Sequence, residues 1–492
     1  MTLRGTVPGR FRDGDAHAQR AGIVGPTAAR AVLSVRRMSK PLLFSALALA
    51  ACSDAKLPAT PDASPPPAPD ATPPPADDFT PAERAQLATL SPLPAVPADP
   101  TNAFADHAGA ARLGQMLFFD KSYAGALTIG DDGTNGGLGR VGDTGKVACH
   151  SCHGVGSGTL DDQRSHPNNI SLGTAYGTRN AHGLVNSAFY RWSNWGGRFD
   201  SQWSLPLAVA ENPTIMKSTR LQIAHMLFAK YRTEYDAIFP VPLDPALDPT
   251  AADAARFPAA GKPKANATDP DGAWELMAQA DRDRVNAIFA NYGKALAAYT
   301  RQLVSRDAPF DRFVAGDANA LDGAARRGLH TFLAACAGCH AGPNLADDKF
   351  HALAAPQAGP GVPAMDLGRF QDVPALLASP FNSDGAFSDA RTTGRLAGLV
   401  QDPAQKGQFR TKSLRGVALS PPYMHAGQLP TLDAVIAFYD MGGGDVGTTG
   451  IVKDPAMHPL NLTAAQRADL VALMAAFTGE PVPASRLADI SK

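Results

Sequence analysis

Cysteine is scarce in this chain: five residues in 492, too few to staple a disulfide-rich scaffold. Neither sign of charge is in surplus, since Lys plus Arg number 45 against 46 for Asp plus Glu. No strong field therefore draws the chain to nucleic acid or to an anionic surface, and no nucleic-acid partner is expected. Runs of alternating apolar residues are also few, which leaves little room for β structure and predicts a mainly α fold. The length exceeds what a single small core organises and predicts two or three units, with two as the working number.

What cysteine there is has a pattern. Cys52 stands alone behind Arg36-Arg37-Met38-Ser39-Lys40 and the apolar run from Leu42 to Ala51, the order of an export signal. The run falls short of the roughly 20 residues that span a bilayer. Its end, Leu49-Ala50-Ala51-Cys52, resembles a bacterial lipobox, so residues 1–51 are expected to be an upstream extension plus a lipoprotein-type signal, with Met38 the more natural start. A lipid anchor at Cys52 and a periplasmic or outer-envelope location are the expectation; a plain secretory signal with a leftover thiol is the rival reading. From 52 to 79 the chain is rich in Pro and Ala and includes Pro65-Pro66-Pro67 and Pro73-Pro74-Pro75, a tether unable to bury a core.

Order is predicted to begin at Thr80-Pro81-Ala82-Glu83, a capping box with proline at the first helical position. Further helices are predicted at Ala273 to Val304, Gly323 to Ala335, Leu432 to Asp440 and Ala464 to Thr478. Between them lie Gly- and Pro-rich runs, Gly130 to Gly145 and Ala354 to Gly368, too long for ordinary connections. Chain wrapped round an embedded prosthetic group accounts for them.

The remaining four cysteines form Cys149-His150-Ser151-Cys152-His153 and Cys336-Ala337-Gly338-Cys339-His340. Both have the C-x-x-C-H form of c-type haem attachment, in which two thiols bond the vinyl groups and the adjoining imidazole lies beneath the iron. His153 and His340 are the expected proximal ligands. A zinc site and a redox dithiol are the rivals; zinc has no need of the adjoining histidine, and a dithiol is not ordinarily duplicated. The expected architecture is thus two cytochrome c-like helical domains with long loops, 80–310 and 311–492, each carrying one covalently bound haem c.

The flanking residues carry a resemblance. Leu113-Gly114-Gln115-Met116-Leu117-Phe118-Phe119-Asp120, Arg179-Asn180, Trp195-Gly196-Gly197-Arg198, Leu414-Arg415-Gly416, Pro422-Tyr423-Met424-His425-Ala426-Gly427 and Phe438-Tyr439 resemble the di-haem cytochrome c peroxidase family, which includes MauG. The likeness runs from about Leu113 to Pro481. It implies a peroxidase-like enzyme in which hydrogen peroxide meets an open iron in the first domain and electrons pass through the second. Where relatives close the first iron with a histidine, this chain has Leu172, so the first haem is expected to be open unless His166 reaches it. Gln202, Pro206 and Glu211 follow in the order of the family's distal residues, with Glu211 the expected acid–base group and Gln202 its polar companion. Trp195 matches the tryptophan between the haems.

For the second haem the resemblance places the further iron ligand at Tyr439, as in MauG, with Met424 the fallback. Without it, Tyr439 reads equally well as core, because it shares a helical face with Leu432, Val435 and Ile436. A phenolate ligand stabilises higher oxidation states of iron. Asn180, Ser420 and Pro422 fall where the family binds calcium, a hard cation suited to oxygen donors. The expected electron source is a small cytochrome c or cupredoxin; alternatively a protein or organic substrate is oxidised, as in MauG, or the chain is a non-catalytic electron-transfer lipoprotein.

Overall fold

The Thr80 hydroxyl accepts the Glu83 amide hydrogen and the Glu83 carboxylate accepts that of Thr80, so the capping box read in the sequence opens the first helix, α1 (Pro81–Leu87). The computed structural model describes residues 78–135, 137–154, 170–358, 362–447 and 449–492. Cys52, residues 52–77 of the tether and His166 lie outside the described residues, and Phe79, at the tether's expected end, is buried. The other helices are α2 (Ala108–Phe119), α3 (Ser204–Glu211), α4 (Arg220–Ile238), α5 (Gln279–Thr300), α6 (Pro309–Val314), α7 (Gly323–Ala335), α8 (Arg369–Leu377), α9 (Leu432–Asp440), α10 (Ala464–Ala476) and α11 (Ala484–Leu487). Among the described residues only two short strands pair, β1 (Phe350–Ala352) and β2 (Gln408–Arg410), antiparallel with His351 opposite Phe409. The fold is mainly α, as expected.

Helices α7 and α9 have the bounds read from the sequence, whereas α5 starts at Gln279 rather than Ala273. The reason is local: the Glu275 carboxylate accepts the amide hydrogens of Lys264 and Gly272, which folds 272–277 into a separate turn before an extended Ala278. Helix α2 escaped sequence reading because all of Ala110 to Phe119 except Arg112 is buried. A helix covered on every side has no polar stripe to mark its period.

Two hydrophobic cores result. One gathers α2, α4 and α5 around Leu113, Trp203, Leu227 and Tyr292; the other gathers α1, α6, α7 and α10 around Leu87, Phe310, Phe332 and Leu473. Each such fully buried side chain contributes about 1.5–3 kcal/mol. In both cores the helix leading toward a C-x-x-C-H motif crosses its partner at a glycine. Gly114 of α2 lies against the Ala295 carbonyl of α5, and Gly328 of α7 against the Asp469 carbonyl of α10, leaving no room for a Cβ.

The ends of the described chain cross between the two cores. Phe79, Leu87 and Leu90 belong to the second core. The last residues return to the first, where the Gln115 amide donates to the carbonyls of Ser485 and Ala488 (both 2.9 Å) and the Tyr299 hydroxyl to that of Arg486 (2.6 Å). The described residues accordingly fall in one compact unit.

Buried guanidinium groups join distant segments. Arg179 donates to Asp366 through Nε and Nη2 (both 2.7 Å) and to Asp372 through Nη1 (2.8 Å). Arg415 holds Asp311 through Nη1 and Nη2 (2.8 and 2.9 Å), and the Ser91 hydroxyl adds a third bond to that carboxylate. Burial by itself would raise Asp311 and Asp366, but the guanidinium bonds outweigh it and hold both carboxyls below the usual range.

Two outcomes follow from this packing. Gly114→Ala and Gly328→Ala should each destabilise the holoprotein by about 1–3 kcal/mol, read as a lower denaturation midpoint, because the added methyl forces apart two helices at their crossing. Carboxyls whose folded pKa lies below the unfolded value contribute stability that is present above about pH 4 and lost as pH falls through the folded value. Melting temperature should therefore drop steeply below about pH 4, and Asp311→Asn should flatten part of that drop.

Candidate functional site

Each C-x-x-C-H motif is a tight turn opening onto an apolar cavity. In the first, Cys149–Ser151 forms a single 3-10 turn, closed by the Ala148 amide donating to the Ser151 hydroxyl (3.0 Å) and by His153 N–H on the Cys149 carbonyl (3.0 Å). Cys149, Cys152 and His153 line a cavity of about 90 Å3 with Gln202, Leu205, Pro206, Val209 and Ile215. The second motif follows α7 directly, with His340 N–H on the Cys336 carbonyl at 3.0 Å. Cys336, Cys339 and His340 line a cavity of about 350 Å3 with Leu432, Val435, Ile436 and Tyr439 of α9.

Both imidazoles are held the same way. His153 Nδ1 lies 3.0 Å from the His182 carbonyl and His340 Nδ1 lies 3.1 Å from that of Leu345. A carbonyl only accepts, so Nδ1 carries the proton in each ring and Nε2 keeps a free lone pair, the tautomer a metal ligand requires. Burial pushes His153 down to about 4 and lowers His340, so both rings are neutral near pH 7.

The thiols are equally diagnostic. Burial pushes Cys149 up to about 11 and Cys336 up to about 12, opposite to the lowered pKa that activates a redox dithiol. Among the described residues, the one cluster of metal-type donors is Cys339, Asp347 and His351. Cys336 and His340 stand outside it, so the motif does not close into a four-donor zinc cage. Two thiols and a neutral imidazole with a free Nε2, facing an apolar space, are the donor set that fits haem c, at each motif.

Of the other expected residues, Gln202 and Pro206 reach the first cavity. Gln202 Oε1 is buried without a hydrogen-bond partner, and its Nε2 is 3.4 Å from the Ser187 hydroxyl. Glu211, expected to be the acid–base group, is not brought there. Its Oε1 accepts Arg220 N–H (3.1 Å) and Nε (2.9 Å) while Oε2 accepts Nη2 (2.8 Å), so the carboxylate caps α4 and pairs a guanidinium. Among the described residues no carboxylate lines the first cavity. Leu172 is fully buried in the first core.

Tyr439 and Met424 both line the second cavity. Burial first, and then the nearby Cys336 and Cys339, raise the Tyr439 hydroxyl above its ordinary value, which places the phenol beside the attachment thiols. Trp195 lines the same cavity, its indole N–H donating to the Asn180 carbonyl at 2.7 Å. Trp203 is instead fully buried core, and Trp192 packs against Arg369. Asn180, Ser420 and Pro422 come together along this cavity; Asn180 Nδ2 is 3.3 Å from the Pro422 carbonyl and Asn180 Oδ1 is buried without a partner.

Four residues went unnoticed in the sequence. His182, Tyr190 and Arg410 line both cavities, and Lys412 lines the second. Phe409-Arg410-Thr411-Lys412 reads as a half-solvated strand, and nothing in that alternation marks its cations as buried.

A family model for the di-haem cytochrome c peroxidase matches residues 108–319. The cytochrome-c peroxidase IdrP1 of Denitromonas iodatirespirans is 30% identical over 402 residues, covering 80% of this chain and 87% of the relative. The chain belongs to the di-haem cytochrome c peroxidase family. Methylamine utilization protein MauG of Methylorubrum extorquens is 35% identical over 193 residues, 38% of this chain and 44% of that one. A crystal structure of a MauG-like protein associated with microbial copper homeostasis shares the fold, with a TM-score of 0.54 and 22% identity over 81% of this chain and 98% of the other. As a di-haem peroxidase the protein is a peroxidase-like oxidoreductase with haem c as its cofactor.

The placement of Glu211 has a measurable consequence. Loss of a general acid–base group costs about 10²–10⁴-fold in rate, whereas weakening a buried ion pair costs stability, here about 3 kcal/mol. Glu211→Gln should lower the melting temperature and leave peroxide turnover per haem unchanged.

Proposed function

We propose that the chain is an exported di-haem peroxidase in which one haem c is held by Cys149, Cys152 and His153 and the other by Cys336, Cys339 and His340, with Tyr439 as further ligand at the second. Bound there, haem iron supplies the redox chemistry that breaks the peroxide O–O bond and stores oxidising equivalents. One observation carries this reading: two apolar cavities, each with a C-x-x-C pair of thiols and a backbone-locked imidazole, the second also lined by Tyr439 beside Cys336 and Cys339. The phenol nearest the first pair, Tyr123, is instead bonded to the Leu117 carbonyl and Tyr292.

The chain's own groups then divide the work. The carbonyls of His182 and Leu345 hold the proximal rings in the ligating tautomer. At the first cavity, Gln202 offers an unpartnered amide oxygen and an amide nitrogen near Ser187 to a small oxidant. Trp195 is the aromatic step for electrons, and its surroundings set a condition. Lys412 Nζ lies 4.2 Å from the ring centroid; a bare ammonium there opposes a positive charge on the indole by about 4 kcal/mol at an effective dielectric near 20. The relay needs that ammonium neutral or paired.

Calcium at Asn180, Ser420 and Pro422 is supported by the orphaned Asn180 Oδ1 and by oxygen donors suited to that cation. Export to the periplasm, with a lipid anchor at Cys52, rests on the sequence alone. Tyr439 beside the second pair of thiols favours MauG-like oxidation of a protein or organic substrate as the second reading, against simple peroxide removal with a small cytochrome c or cupredoxin as donor.

Purified holoprotein should carry two haems per chain and give a ferric EPR spectrum with one high-spin and one low-spin component. Tyr439→Met should alter the low-spin signal and leave the high-spin one; an unchanged pair of signals removes Tyr439 from the ligand set. Peroxide added with a reduced small cytochrome, and separately without it, distinguishes the two donor classes by which of them is consumed.

A further inference from the structure

Positive charge without a hydrogen-bond partner is concentrated in the wall between the two cavities. Arg410 is 3% exposed and lines both of them, yet none of its three guanidinium nitrogens has a hydrogen-bond partner. Its nearest groups are the face of Tyr190, 3.6 Å from Cζ to the ring centroid, and Asp348 Oδ1, 3.9 Å from Nη1. The Asp348 oxygen is itself buried and unbonded. Two positions on, Lys412 Nζ is buried with no hydrogen-bond partner and faces the second cavity.

The other guanidinium lining the second cavity, Arg415, is already taken by Asp311, and nearby Arg179 by Asp366 and Asp372. A buried cation without a hydrogen bond is costly even where, as for Arg410, a carboxylate stands 3.9 Å away, and burial lowers both cations from their ordinary pKa. An acidic ligand with oxygens able to enter from both sides removes that cost, and carboxylate is the group a guanidinium fork takes in two-pronged fashion. Haem c carries propionate carboxylates.

We propose that Arg410, assisted by Lys412, is a carboxylate cradle common to the two cavities, taking a propionate of the haem at each C-x-x-C-H motif and so linking the two redox centres electrostatically. Pairing Lys412 with a carboxylate at the same time meets the condition that Trp195 sets. The inference rests on haem being attached at both motifs. Loss of the Arg410 charge leaves a buried carboxylate uncompensated near each iron, which favours the more positive, oxidised state at both.

Redox titration of the holoprotein in phosphate buffer free of carboxylates tests it, with haem content measured as the pyridine haemochrome. Arg410→Gln should lower both midpoint potentials, Arg410→Lys should restore most of each, and Lys412→Gln should lower chiefly that of the second haem. An Arg410→Gln protein that keeps two haems and leaves either potential unmoved overturns the shared cradle, as does a shift that emerges only when acetate is added. Should Arg410→Gln yield no holoprotein, Lys412→Gln decides: a second-haem potential identical to that of the parent overturns the proposal. Fewer than two haems on the unaltered chain instead defeats the haem reading on which it rests.

Discussion

Guanidinium–carboxylate bonds tie together the distant segments that surround the second cavity. Arg179 reaches from the segment after the first motif to Asp366 and Asp372, and Arg415 gathers Asp311, Ser91 and the carbonyls of Leu90 and Pro343. Breaking such a buried pair costs about 3–5 kcal/mol. Hydrophobic packing alone would close an apolar space rather than keep one open, since a cavity forfeits the contacts its lining would otherwise make. Directional, charge-assisted bonds at the rim provide the opposing constraint.

The same bonds make the second cavity a joint product of both halves. Its lining includes Asn180, His182 and Trp195 from before α3 as well as residues from α7 to α10. The crossing of the chain ends, with α1 in the second core and the residues after α10 in the first, adds to this mutual dependence. Electron passage between two sites benefits from one rigid body, because its rate depends on a separation that independent lobes would let vary.

The polar groups follow an economy of their own. The thiols and the neutral imidazoles of His153 and His340 face the space where the cofactor fits. Among the cations lining the second cavity, Arg410 and Lys412 differ from Arg415 in having no hydrogen-bond partner, and Arg410 borders the first cavity as well. Glu211 is the reverse case, a carboxylate that sequence order assigned to chemistry and that Arg220 has drawn into structure.

The sequence by itself determined the mainly α fold, the start of α1, the bounds of α7 and α9, and both attachment motifs, because each rests on spacing within a few residues: a capping box, a 3.6-residue period, a turn that presents two thiols and a histidine. Only the tertiary structure decided that Glu211 faces Arg220 while Gln202 faces the cavity, that Trp195 rather than Trp192 or Trp203 borders the second site, and that His182, Tyr190 and Arg410 stand between the two cavities. Those outcomes depend on contacts between residues remote in the chain, where a local pattern of charge or apolarity is the same whether the side chain meets solvent, a counter-ion or a cofactor.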